Sequence, residues 1–211
     1  MTREQWLQER KNGIGGSEAS SIVGMNPYKT NVRLWEEKTG RVEPDDIGHK
    51  SYVQYGVNAE HHLRELFKLD YPQYQVNYQE FKIHRNEKHP FVFATLDGEL
   101  ICPDTGESGI LEIKTTNILQ SMQKEKWNDK IPDNYYIQCL HQLLATGWDF
   151  VILKAHLKSD WAGEIRITTK HYIIKREDVR CDLDFLLQKE IEFWTEYVMK
   201  DRKPNLILPN I

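Results

Sequence analysis

A mixed α/β sandwich is the fold class this sequence predicts, and three observations predict it. Helix-spaced apolar residues dominate the first third of the chain, most clearly Val53, Val57, Leu63, Leu66 and Phe67. Strand-like segments follow at about 75–84, 91–101 and 109–115. Helical and strand-like stretches then alternate, with further strands at about 149–158 and 163–174. The order helices, strands, helix, strands, helix suits a central mixed sheet flanked by helices better than a doubly wound nucleotide-binding fold. A length of 211 residues fits one domain spanning 1–211.

The elements follow from local signals. Residues 3–10 read as a short helix with Trp6, Leu7 and Arg10 near one face. A glycine-rich turn, Asn12-Gly13-Ile14-Gly15-Gly16, leads to Ser17, a residue type that caps helix N-termini, and a helix runs to about Val23. The segment Gly24 to Lys29 contains Asn26-Pro27 and breaks it. Thr30 caps a third helix carrying Val32, Leu34 and Trp35, which ends at Gly40. Residues 41–50 are polar, with proline and glycine, and read as a loop; 51–69 read as a helix. Polar and apolar residues alternate over 79–84 and 164–168, as strands require. Helices are expected at 117–127, capped by Asn117, and at 133–146, with Gly147 just beyond. A long last helix, about 177–200, has Leu183, Leu186, Leu187, Ile191, Trp194 and Val198 as its apolar stripe.

Composition narrows the class without naming it. A net charge of −4 is unlike a protein that coats nucleic acid, but it leaves room for a nucleic-acid enzyme with a local basic surface. No apolar run reaches membrane-spanning length, so no membrane partner is expected, and the N-terminus lacks an apolar signal region. The three cysteines, Cys102, Cys139 and Cys181, are widely spaced and form no metal-ligand pattern. They suit a reducing compartment, and the cytoplasm is the expected location. The adjacent His61 and His62 do not suggest zinc.

Four groups of residues carry chemistry. Asp97 opens one apolar strand, and Glu112-Ile113-Lys114 lies inside another, 15 positions on. Charges inside core-forming strands are costly unless compensated, and two carboxylates converging on a divalent metal supply that compensation. Strand parity puts Glu112 and Lys114 on one face, while Ile113 turns to the other and leaves its carbonyl available at the strand edge. Hard cations such as Mg²⁺ prefer oxygen ligands of this kind. The plainer reading is a cross-strand ion pair. Glu60, mid-helix, is a candidate third carboxylate, against a plain i,i+4 pair with Arg64. Arg10 with Gly15, Gly16 and Ser17 forms a candidate anion pocket, against a helix corner that needs glycine for its geometry; no Gly-Lys-Ser/Thr follows, so it is not a nucleotide loop. Gln138 could bond the site carboxylates, although its neighbours Ile137, Leu140, Leu143 and Leu144 are core residues. Lys124, Lys126 and Lys130 around Trp127 could hold a DNA backbone or simply form a solvated face.

In this order these groups resemble the lambda-type phage exonucleases, the YqaJ-like viral recombinase family of the PD-(D/E)XK nuclease superfamily. The resemblance covers roughly residues 6–158. It rests on Arg10-x-x-Gly13-Ile14-Gly15-Gly16-Ser17-Glu18-Ala19, Gly56-x-x-x-Glu60, Leu96-Asp97-Gly98, Leu111-Glu112-Ile113-Lys114, and Tyr135-Tyr136-Ile137-Gln138 with His141-Gln142-Leu143. It implies a restriction-endonuclease-like sheet and a Mg²⁺-dependent exonuclease, with Mn²⁺ as a substitute ion. Such an enzyme digests one strand of double-stranded DNA from a 5′ end and leaves 3′ tails for a single-strand annealing partner during recombination. Asp97, Glu112, the Ile113 carbonyl and Glu60 are then the metal ligands, Lys114 orients or activates the water, Gln138 supports the site, and Arg10, Ser17, Gly15 and Gly16 receive the 5′-phosphate. A homotrimeric ring and a phage or prophage origin in a bacterial host are further implications. The sequence departs from the pattern at Leu140, where family members often carry a second glutamine. Other nucleases of the superfamily, or a non-catalytic DNA-binding module, are the alternatives.

Overall fold

The computed structural model describes residues 1–118, 121–161 and 163–208. Three short helices open the chain: α1 (Arg3–Lys11), α2 (Gly16–Ile22) and α3 (Asn31–Lys38). Thr2 and Gln5 close a reciprocal capping box on α1, and the Thr30 hydroxyl accepts from the Arg33 amide at the start of α3. Helix α4 (Ser51–Asp70) turns Leu63 and Phe67 inward.

The strands are β1 (Gln75–Asn77), β2 (His84–Arg85), β3 (Phe93–Ala94), β4 (Gly98–Ile101), β5 (Ser108–Ile118), β6 (Phe150–Trp161) and β7 (Glu164–Lys175). Five of them form one mixed sheet in the order β1-β4-β5-β6-β7, and β2 pairs with β3 separately. Neighbours are antiparallel except β5 and β6, which run parallel from Gly109↔Phe150 to Ile118↔Ser159. Two parallel neighbours need a crossover, and α5 (Ser121–Glu125) and α6 (Asp133–Thr146) lie in the connection. Helix α6 ends at Gly147, whose positive φ of 75° suits the left-handed cap. Helix α7 (Arg180–Glu192) follows a 3-10 turn and continues into a π turn over Phe193–Val198.

The centre of the sheet is buried on both faces. On one, Ile110, Val151, Leu153 and Ala155 meet Ile137, Leu140 and Leu143 of α6 and Leu183 and Leu186 of α7. On the other, Leu111, Ile113 and Ile152 meet Leu63 and Phe67 of α4. Alternating residues of β5 therefore enter different cores, and this parity sets where Glu112 and Lys114 point. No helix among the described residues is long and apolar enough to cross a membrane.

Several expected elements differ. The strand expected at 75–84 survives only as β1 and the start of β2. Between them the Lys82 amide bonds the Gln79 carbonyl in a turn, and Phe81 takes a φ of 58°, so the alternation there is not sheet. The strand expected at 91–101 is broken between Ala94 and Gly98, and Asp97 stands just before β4. The helix expected at 117–127 shrinks to α5, because β5 keeps pairing with β6 through Ile118; Asn117 lies in that strand and caps nothing. Residues 119 and 120 of that expected helix lie outside the described residues.

Candidate active site

The antiparallel pairing of β4 with β5 stops at Gly98↔Leu111. One step further, the Asp97 side chain takes over from the strand: its Oδ2 accepts the Ile113 amide at 2.7 Å. In extended backbone the amide and carbonyl of one residue point to the same side, so the Ile113 carbonyl also faces the strand edge that β4 has left open. Asp97 is held from behind by Arg64, whose Nη1 donates to the Asp97 carbonyl at 2.6 Å and to Glu60 Oε1 at 3.1 Å. The Arg64 guanidinium also lies 3.5 Å from the centre of the Tyr78 ring. Gly56 lets α4 approach the sheet, since a Cβ there would sit 3.0 Å from Thr115 Oγ1; Glu60 follows one turn later.

Glu112 is 2 % exposed and receives three donors. Lys114 Nζ lies 2.5 Å from Oε1, Gln138 Nε2 donates to the same oxygen at 2.6 Å, and Gln142 Nε2 donates to Oε2. A carboxylate has about four acceptor positions, so Glu112 keeps capacity for one more partner. Gln138 and Gln142 are one helical turn apart on α6 and face β5 together. Leu140, the expected departure, is buried core, and a second glutamine contact to Glu112 comes from Gln142.

These charges perturb one another. Burial first, then the Glu112 and Glu60 carboxylates, raise the Asp97 carboxyl well above its ordinary range. Burial also raises Glu60; Arg64 pulls it back and Glu112 adds to the rise. Burial works against the charge on Lys114, yet Glu112 and Asp97 outweigh it and hold the ammonium form above the ordinary lysine range. The ammonium lies 5.3 Å from the centre of the Tyr135 ring.

Arg10 and the glycine turn form a separate cluster. The turn is pinned to β3 by Ile14 N–H to Phe91 O at 2.6 Å and Phe93 N–H to Ile14 O at 3.1 Å. Gly16 packs on α6, where a Cβ would meet Gln138 Cγ at 3.3 Å and Gln142 Cγ at 3.7 Å. Helix α2 is only seven residues long, and the Gly15 amide is already bonded by Glu18 Oε2 at 2.8 Å. Ser17 is exposed, and the residues gathered beside Arg10 are Glu18 and Lys38.

Residues 5–149 match the family model described as the YqaJ-like viral recombinase domain. The chain belongs to the YqaJ-like viral recombinase family. A relative from Bacillus subtilis (strain 168), described as uncharacterized protein YqaJ, is 32% identical over 207 residues, 98% of this chain. The chain spans 60% of that relative's length. Among solved structures, an alkaline exonuclease from Laribacter hongkongensis superposes with a TM-score of 0.60 at 18% identity, covering 94% of this chain and 97% of that one. A phage related exonuclease from Haemophilus somnus 129PT gives a TM-score of 0.56 at 13% identity, covering 90% and 96%. The fold expected from the sequence, a restriction-endonuclease-like PD-(D/E)XK sheet flanked by helices, is the fold of this YqaJ-like domain.

Within the family domain, the structure brings Asp97, Glu112, Ile113, Lys114 and Gln138 to one point. Glu60 pairs with Arg64, and among the described residues no three His, Cys, Asp or Glu side chains form a ready-made cation cage. Trp127 is buried, while Lys124, Lys126 and Lys130 around it are exposed. His141, between the two glutamines, is fully buried: it bonds Glu190 Oε1 at 2.6 Å and the Phe93 carbonyl at 2.8 Å. Arg64 as a positioning group, Lys38 and Glu190 are not among the residues expected from the sequence, and Gln142 stands there only within the His141-Gln142-Leu143 motif. Gln142 carried a readable signal in its i+4 spacing from Gln138; Lys38 and Glu190 come from distant helices and carried none.

Proposed function

We propose that this protein is a metal-dependent deoxyribonuclease that hydrolyses one strand of duplex DNA from a free 5′ end and leaves 3′ single-stranded tails for recombination. The observation that carries the reading is the meeting of Asp97, Glu112 and the free-edge side of Ile113 with the Lys114 ammonium. The family description, a viral recombinase domain, and the names of the two structural neighbours, both exonucleases, support it.

The residues present fit a divalent ion. Asp97 keeps an oxygen beyond its bond to Ile113, Glu112 keeps one acceptor position, and the raised Asp97 and Glu60 carboxyls are those expected where a counter-charge is wanted. Asp97, Glu112 and the Ile113 carbonyl would hold it, with Glu60 further out. Mg²⁺, or Mn²⁺ in its place, would lower the pKa of a bound water and neutralise the charge that develops on the phosphate.

The chain's own groups do the rest. Gln138 and Gln142 lock the Glu112 carboxylate in one orientation. Lys114, beside Glu112, can orient or activate the attacking water and donate to a phosphate oxygen. Water attacks the phosphorus in line, the O3′–P bond breaks, and the terminal nucleotide leaves. The shortened strand then carries a new 5′-phosphate, so a pocket for that group is reused at every step. Arg10 would hold it, with Gly15 beside its guanidinium and with Ser17 and Gly16 following in the turn. A trimeric ring around the duplex, an annealing-protein partner and a cytoplasmic setting in a phage or prophage host belong to the same proposal.

Digestion of a 5′-phosphorylated linear duplex beside a closed circle tests it. The expected result is loss of the linear strand from its 5′ end with Mg²⁺, none with chelator, and an intact circle. A nicked circle would make the protein an endonuclease. An intact linear duplex at every ion concentration would leave only a binding module.

A further inference from the structure

Beside the glycine turn, one carboxylate faces two cations. Glu18 Oε2 accepts the Gly15 amide at 2.8 Å and lies 2.7 Å from Lys38 Nζ. The Lys38 side chain is 5% exposed and also donates to the Arg10 carbonyl at 2.9 Å. Arg10 stacks over the Trp6 ring at 4.7 Å, and its Nη2 lies 3.7 Å from where a side chain on Gly15 would begin. Among the described residues the Arg10 guanidinium has neither an ion pair nor a hydrogen bond, and the buried Trp6 Nε1 beneath it has no acceptor. The cluster thus offers two positive charges and spare donors against a single negative charge.

Burial opposes the charge on Glu18, and Lys38 and Arg10 outweigh it. Burial lowers the Lys38 pKa, Glu18 resists, and Arg10 adds to the fall. A terminal phosphate carries about −1.5 to −2 charge near neutrality and offers several acceptor oxygens. It balances two cations better than one carboxylate does, and a guanidinium can hold it through two parallel bonds.

We propose that Glu18 is a built-in competitor for the phosphate at the DNA end, and that Lys38 is the second cation which that phosphate takes over from it. The inference rests on the 5′-end reading given above and adds its regulation. In the absence of DNA, Glu18 occupies Lys38 and the Gly15 amide, so a weakly held anion such as free phosphate gains little by entering. A phosphate delivered by a duplex end is held in place by the rest of the DNA, displaces the Glu18 carboxylate, and engages Arg10 and Lys38 together.

The test measures binding without catalysis. Duplexes that differ only in a 5′-phosphate or a 5′-hydroxyl are titrated by fluorescence anisotropy in chelator, and the ratio of the two Kd values is the preference. Glu18→Gln keeps an acceptor for Gly15 and Lys38 but removes the competing charge; the preference should rise at least threefold. Lys38→Met should lower it at least fivefold, and Lys38→Arg should restore most of it. A salt bridge needed only for folding would instead make Glu18→Gln and Lys38→Met change in the same direction, with lowered melting temperatures; that result, or no change in the ratio, overturns the proposal. Arg10→Ala separates the two levels. If the wild type prefers the phosphate and Arg10→Ala loses that preference while Glu18→Gln fails to raise it, only the competitor is wrong. If the wild type shows no preference, the 5′-end pocket is wrong and the competitor falls with it.

Discussion

Replacing Asp97 with asparagine should make the metal-free protein more stable and nearly inactive. The amide oxygen of asparagine can still accept the Ile113 N–H that Oδ2 now binds at 2.7 Å, and the Arg64 bond to the Asp97 carbonyl is a backbone bond that the change does not touch. What disappears is a negative charge that burial and the Glu112 and Glu60 carboxylates already disfavour. Relieving a disfavoured, part-buried charge of this kind is worth on the order of 1–2 kcal/mol. In a chain of this size each kcal/mol moves Tm by about 2–4 °C, which gives a rise of about 2–8 °C in chelator. Mg²⁺ should reverse the comparison. An ion present at 100 times its Kd stabilises the wild type by about 2.7 kcal/mol, and the asparagine variant should gain little of this. Digestion of linear duplex should fall at least about 100-fold, or about 2.7 kcal/mol of barrier. Thermal unfolding of both proteins in chelator and in Mg²⁺ gives the stability terms, and strand release gives the rate. A variant that melts below the wild type in chelator, or that Mg²⁺ stabilises equally, would refute the reasoning.

Other perturbations give separate signs. Gln142→Leu removes the donor to Glu112 Oε2 and should cost about 1–3 kcal/mol in urea unfolding, with kcat falling more than KM rises as the carboxylate loses its fixed orientation. Lys114→Ala should leave DNA binding in chelator within about threefold and remove cleavage, since an ammonium acting on the water and phosphate contributes mainly in the transition state; anisotropy and strand release read the two. Burial works against a charge on His141, but Glu190 and the Phe93 carbonyl outweigh it and raise its pKa above the ordinary 6.5. A raised folded-state pKa stabilises fully below the unfolded value and less as pH climbs through the folded one. The stability advantage of the wild type over His141→Gln should therefore be largest below about pH 6.5 and shrink on the alkaline side, as urea titrations across pH would show. Gly13→Ala should lower stability by about 1–3 kcal/mol, because its Cβ would lie 2.3 Å from the Phe91 carbonyl; calorimetry or thermal unfolding reads it.

What the sequence made legible, and what it hid, follows from how far each residue's partners lie along the chain. Glu112 and Lys114 were readable because strand parity alone puts them on one face, and Asp97 because it breaks an apolar stretch. Gln138 was readable by its place on a helix, and Gln142 by its spacing of one turn. Two expected strands failed for local reasons: Phe81 takes a left-handed backbone inside an alternating pattern, and the Asp97 side chain replaces a strand bond at Ile113. The C-terminal half of β5 was hidden for a tertiary reason. Residues 116–118 stay extended because β6 offers parallel partners up to Ser159, and nothing local announces those partners. The glycine turn was read as an anion cradle. Its glycines at 13 and 16 are accounted for by close packing on Phe91 and on Gln138, so any anion binding there rests on the side chains around Arg10. Lys38 and Glu190 stayed unseen because each joins its partner across a distance in sequence that no short motif spans.

Crystals of the protein soaked in Mn²⁺, measured at a wavelength where manganese scatters anomalously, give the most direct test. The expected result is an anomalous peak enclosed by Asp97, Glu112 and the Ile113 carbonyl, lost in Asp97→Asn. No peak there, at an ion concentration that supports strand release in solution, would contradict it.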